Sequence, residues 1–99
     1  MKTKVAEFSA LQEGKGLCVR AEGVKLVLVK TGSAVHAVEN RCPHRGAPLH
    51  NGTLEGRVLR CSRHGIAFDL DSGRALDAAC SPLLRLTLAY DGDRVGLDL

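Results

Sequence analysis

Two short stretches of this chain carry residue types that bind metals, at matched spacings. They are Cys42-Pro43-His44-Arg45-Gly46-Ala47-Pro48-Leu49 and Cys61-Ser62-Arg63-His64-Gly65, and sixteen residues lie between His44 and Cys61. Each stretch offers one thiolate and one imidazole, close enough for a single loop to present both without a helix. Gly46 and Gly65, with Pro43 and Pro48, allow sharp loop geometry and let backbone N–H groups approach a metal-bound sulfur. Zinc held by two Cys and two His uses the same ligand types. Zinc fingers, however, usually pair Cys with Cys and His with His, whereas each loop here supplies one of each.

The other candidate groups take plainer roles. Cys18 lies in an apolar run and is expected to be a small buried hydrophobe. Cys80, before Ser81-Pro82-Leu83, is expected in a third loop that shields the centre, not as a further ligand. His36 reads as a strand residue. Asp69 and Asp71 flank a turn and have neither nucleophile nor base beside them, so they do not form a catalytic pair. Four cysteines in a short chain could form disulfides, but two precede a His by two or three residues and two do not. That asymmetry favours metal ligation by one pair and free thiols for the other, which suits a reducing cytoplasm.

Ninety-nine residues suffice for one domain with a modest core. Phe8, Phe68 and Tyr90 are the only aromatics, so a bound metal centre would help hold a core of Val, Leu and Ala. No run approaches the roughly 18 apolar residues of a membrane span, and the start, Met1-Lys2-Thr3-Lys4-Val5-Ala6-Glu7, does not read as a secretory signal. The net charge is +3, and the excess is local: Arg41, Arg45, Arg57, Arg60 and Arg63 face a single acid, Glu55, between Arg41 and His64. That stretch has no aromatic side chain for stacking bases, which argues against nucleic acid.

The elements that must position the two loops read as short strands broken by turn signals about every ten residues, the pattern of an all-β sandwich or barrel. Runs at 17–21, 24–30, 34–39, 58–61, 66–70, 84–90 and 94–99 are expected strands. The continuous apolar run from Ala34 to Glu39 suggests a strand with both faces largely covered, or a hairpin partner to the run before it. Asp71-Ser72-Gly73-Arg74 and Asp91-Gly92-Asp93 are expected hairpin turns. No amphipathic helix, repeat or linker is evident.

Cys42-Pro-His-Arg-Gly-Ala-Pro-Leu, then Cys61-x-x-His64-Gly, then Phe68-Asp69-Leu70-x-x-Gly73 resembles the Rieske ferredoxins that serve bacterial ring-hydroxylating oxygenases. The likeness runs over nearly the whole chain. It implies the Rieske iron–sulfur fold, a small antiparallel β-sandwich or barrel over residues 1–99 with cluster-binding loops at about 40–50 and 60–66. It also implies one 2Fe-2S cluster, with Cys42 and Cys61 on one iron and His44 and His64 on the other. Replacing two thiolates by neutral imidazoles changes the oxidised cluster's charge from −2 to 0. At roughly 5 Å and an effective dielectric near 20, each removed charge is worth about 3 kcal/mol. Together they amount to on the order of 300 mV for a one-electron couple, about the gap between plant-type ferredoxins near −400 mV and the low end of Rieske centres near −150 mV.

The resemblance also separates kinds within the family. High-potential Rieske proteins carry an extra Cys in each loop, joined as a disulfide; Ala47 and Arg63 stand at those places here. They place a Ser after the second His-Gly and a Tyr two residues later; here these are Ile66 and Phe68, which cannot donate to a cluster-side sulfur, so a low potential is implied. Two departures are Ser62, where a Pro is usual, and Arg63, whose charge would nudge the potential upward. The implied role is a monomeric, cytoplasmic one-electron carrier, not an enzyme by itself. It would take electrons from a flavoprotein ferredoxin reductase and deliver them to a terminal Rieske oxygenase, with no nucleic acid or membrane involved. Arg45, His50 and Arg63 are expected to rim the exposed cluster end and meet carboxylates on the partner. The rival readings are a small subunit of an assimilatory nitrite reductase, many of which lack the ligands, and a zinc-stabilised interaction module.

Overall fold

The computed structural model describes residues 3–43, 46, 48–62, 65–77 and 79–97. In chain order the strands are β1 (Thr3–Glu7), β2 (Gly16–Ala21), β3 (Val24–Thr31), β4 (Ala34–Glu39), β5 (Thr53–Glu55), β6 (Val58–Arg60), β7 (Ala67–Asp69), β8 (Arg85–Leu86), β9 (Leu88–Asp91) and β10 (Arg94–Leu97). One 3-10 turn, Phe8–Ala10, follows β1. All strand pairings are antiparallel and form three sheets, ordered β1-β10-β9, β2-β3-β4-β8 and β5-β6-β7. The all-β expectation is met, and no described helix is long and apolar enough to cross a membrane.

The run at 34–39 is β4, which pairs with β3 on one side and β8 on the other, and the apolar middle of β3 is covered in the same way. β3 lies inside the four-stranded sheet, and Leu26, Val27, Leu28 and Val29 are all buried. Side chains alternate across a strand, so Val27 and Val29 join one core while Leu28 and Leu26 join cores beneath the other face. The first of these cores also takes Val38 from β4, Leu59 from β6 and Phe68 from β7, together with Cys42 and Cys61. The sheet that carries the loops is therefore anchored to the larger sheet through the two cysteines' own surroundings.

The structure corrects two expectations. Cys18 is exposed. β2 is an edge strand of its sheet, so an apolar composition does not bury every member of it. The run at 84–90 is not one strand: it breaks at Thr87, where β8 ends its pairing with β4 and β9 begins pairing with β10. The Asp71–Arg74 segment turns as expected, with Gly73 N–H donating to the Asp69 carbonyl at 2.6 Å and the Asp69 and Leu76 N–H groups donating to the Arg74 and Ala67 carbonyls at 2.9 and 2.8 Å around the Phe68–Ala75 bridge. β1 and β5 had not been read as strands. The hairpin at 91–94 forms as expected.

Candidate metal centre

Cys42 follows the end of β4, and Cys61 follows the last residue of β6. Both are fully buried and belong to the same apolar core, with Leu49, Leu59, Ile66 and Phe68. The described parts of the two loops have one geometry. The Gly46 N–H donates to the Cys42 carbonyl at 2.7 Å, and the Gly65 N–H donates to the Cys61 carbonyl at 2.9 Å. In each case a glycine four residues on closes a single turn over the cysteine. Its φ is positive, +74° at Gly46 and +68° at Gly65, a conformation that costs other residues about 1–2 kcal/mol. In sequence, His44 and His64 each fall between the cysteine and that glycine. His44 and His64 themselves, with Arg45, Ala47 and Arg63, lie outside the described residues.

Side chains that the sequence did not single out clamp each loop. Asn40 Oδ1 accepts the Leu49 N–H at 2.6 Å and the His50 N–H at 3.0 Å, closing the far end of the first loop onto its start. With its oxygen so used, the Asn40 amide group donates, to His50 Nδ1 at 2.8 Å and to Cys18 Sγ at 3.5 Å. Leu49 is buried, so Asn40→Ala would orphan its N–H and is expected to cost about 1–2 kcal/mol in denaturant melts, with Asn40→Asp, which keeps the acceptor, restoring most of it. A polar residue two positions before a cysteine is a weak signal; nothing local announces a reach of nine residues.

The second loop is held by Arg60 and Asp77. Arg60 Nη1 donates to the Gly65 carbonyl and to Asp77 Oδ2, the latter at 3.1 Å, while Asp77 Oδ1 accepts the Ala67 N–H at 3.0 Å. The Ala67 bond above all, then the Arg60 guanidinium, holds the Asp77 carboxyl below its ordinary 3.8. It is thus ionised at neutral pH, and the clamp stays charged on both sides. The loops also meet through Gly52, where an added Cβ would run into the Arg60 carbonyl next to Cys61 and lie 3.1 Å from the Leu49 carbonyl.

The remaining candidates fall as the sequence suggested. Cys80 packs against the core that holds Cys42 and Cys61. His36 lies in β4, its Nε2 3.0 Å from Thr31 Oγ1. Asp69 accepts the Asp71 N–H and the Ser72 hydroxyl within its own turn, and Asp71 pairs with Arg57 at 2.5 Å. Their carboxylates are turn and surface groups.

Comparison with known proteins agrees with this geometry. A family model described as the Rieske [2Fe-2S] domain matches residues 1–86. The ferredoxin component of a naphthalene 1,2-dioxygenase system from Pseudomonas aeruginosa is 37% identical over 93 residues, covering 90% of this chain and 86% of the relative. A chain in the solved complex of reduced oxygenase and oxidised ferredoxin in carbazole 1,9a-dioxygenase matches with a TM-score of 0.87 and 31% identity, over 96% of this chain and 99% of that one. Sphingomonas yanoikuyae B1 ferredoxin shares the fold at a TM-score of 0.91 and 24% identity, over 100% and 99% of the two chains.

Proposed function

The chain belongs to the Rieske [2Fe-2S] domain family, and on that premise we propose that it holds one 2Fe-2S cluster through Cys42, His44, Cys61 and His64 and carries single electrons from a flavoprotein reductase to a terminal ring-hydroxylating oxygenase. The observation that carries the reading is the pair of fully buried cysteines, each at the head of the same glycine-closed turn, in one apolar core. Two thiols placed so, with a histidine two or three residues after each in the sequence, fit the mixed donor set of this cluster. Bound there, the cluster supplies a centre that accepts and returns one electron.

What this chain's residues contribute is surroundings and access. Val27, Val38, Leu59 and Phe68 keep water from the cysteine side. Ile66 is buried and Phe68 fully so, and neither offers a hydroxyl where a donor would stabilise the reduced state. The midpoint potential is therefore expected at roughly −150 to 0 mV, near the low end for these centres. Direct voltammetry of purified protein tests this; a value above about +100 mV would contradict it. The same sample decides the zinc alternative, since a Rieske protein is red-brown and paramagnetic when reduced, while a zinc protein is colourless and silent.

As partners, a relative is the ferredoxin component of a dioxygenase system and a second is solved with its oxygenase, which supports the oxygenase as acceptor over a nitrite reductase subunit. The expected docking rim is Arg45, His50 and Arg63; of these His50 is described, and it is exposed.

A further inference from the structure

Several described cations are engaged with neighbours: Arg57, Arg60 and Arg94 each hold an aspartate, Lys4 holds Glu7, and Lys30 stands over the Phe8 ring. Arg20, Lys25 and Arg41 have no carboxylate partner among the described residues. All three line one groove of about 780 Å³ that runs between the β2–β3 hairpin and the first loop. Gly46, Pro48 and His50 of that loop form part of its wall, and Glu39 is the only carboxylate among the described residues that line it. Arg41 lies across the loop: a Cβ on Gly46 would sit 3.2 Å from its Nε.

Three cations that line one groove with a single described carboxylate, Glu39, leave it with an excess of positive charge. A partner's carboxylates would meet that excess with charge-assisted bonds, bidentate at the two arginines. The volume matches cavities of about 300–1,000 Å³ that seat compact ligands, enough for a few side chains of a partner loop. No Phe, Tyr or Trp is among the described residues that line it, which gives a nucleic acid little to stack on beyond the His50 ring. We propose that this groove seats a carboxylate-bearing segment of the terminal oxygenase, so that docking brings the acceptor against the first cluster loop. The proposal rests on the electron-carrier reading above and extends the docking face from the loop tips onto the β2–β3 hairpin.

The test mixes reduced holoprotein with the oxygenase component of a naphthalene 1,2-dioxygenase system and follows electron transfer by stopped flow. The triple variant Arg20→Gln/Lys25→Gln/Arg41→Gln, shown to keep its visible spectrum, is expected to react about tenfold more slowly at low ionic strength. The difference should close at about 0.5 M salt, where charges beyond a few ångströms are screened. Lys15→Gln/Arg74→Gln, which removes unpaired cations away from the groove, should change the rate less than about twofold. Unchanged transfer by the triple variant would overturn the groove and leave the carrier intact. Slowing confined to reduction by a flavoprotein reductase would overturn the oxygenase as occupant. No transfer from the unaltered protein would count against the carrier reading instead. An NMR titration of the labelled holoprotein with hexaglutamate then decides the groove: shifts at 18–25 and 39–41, lost in the triple variant, support it, and shifts elsewhere or none overturn it.

Discussion

Cys42→Ser and Cys61→Ser are each expected to retain less than a tenth of the iron and acid-labile sulfide of the unaltered protein after anaerobic reconstitution. Serine keeps the shape, but its hydroxyl is a far poorer anion than a thiolate and a poor ligand for a soft, sulfur-rich centre. The surroundings sharpen the effect. Both positions are fully buried among Leu, Ile and Phe side chains, where a hydroxyl is a more polar occupant of an apolar core than a thiol. Cys18→Ser provides the contrast, because that thiol is exposed on an edge strand; it should keep its full cluster. Cys80→Ser should keep it too, since Cys80 covers the core without heading a glycine-closed turn. Iron and sulfide assays on the four variants settle the assignment. A full complement in Cys42→Ser or Cys61→Ser would remove that residue from the ligand set, and so would retention of the cluster after both His44 and His64 become alanine.

Gly52→Ala is expected to destabilise the apoprotein by about 3 kcal/mol and to speed cluster loss markedly. The cause is a collision with main chain, not with a side chain that can swing aside. The new Cβ would strike the Arg60 carbonyl, with the Arg60 carbonyl carbon at 3.3 Å and the Leu49 carbonyl at 3.1 Å. Overpacking of this kind typically costs 1–3 kcal/mol, and a rigid neighbour places it at the upper end. Relief requires the strand leading to Cys61 to move away from the end of the first loop, and that spreads the two pairs of ligands. Gly52 N–H donates to the Leu49 carbonyl at 2.9 Å, which ties it to the Asn40 clamp as well. Urea melts of apoprotein and the first-order bleaching rate of holoprotein measure the two effects. An alanine variant that melts and bleaches like the parent would show that the loops approach less closely than described.

The chemistry was more legible than the scaffold, for physical reasons. Cys and His at fixed offsets from a glycine are a local pattern, and the turns that use them are local, closed by one N–H four residues on. β3 and β4 were readable because their apolar runs are buried on both faces or nearly so. β1 escaped because Thr3-Lys4-Val5-Ala6-Glu7 carries little apolar signal and owes its extension to β10. β5 has three residues, and its partner β6 supplies its definition. The break at Thr87 could not be seen at all, since a continuous alternating run says nothing about which sheet each half joins. Cys18 shows the same limit: composition reports that a segment is apolar, whereas burial depends on whether a neighbouring strand covers it. Asn40, Arg60 and Asp77 were missed because their partners lie 5 to 22 residues away and their types are common on any surface.

Residue 3 pairs with residue 97, whereas the strands that frame the second cysteine, β5 to β7, pair within seventeen residues, 53 to 69. Closing a long stretch of chain costs more entropy than closing a short one, and pairings distant in sequence form late. During synthesis the hairpins around Cys61 emerge complete while β1 still waits for β10. Iron delivery to a nascent or partly refolded chain would thus find its thiols framed before the last sheet has closed.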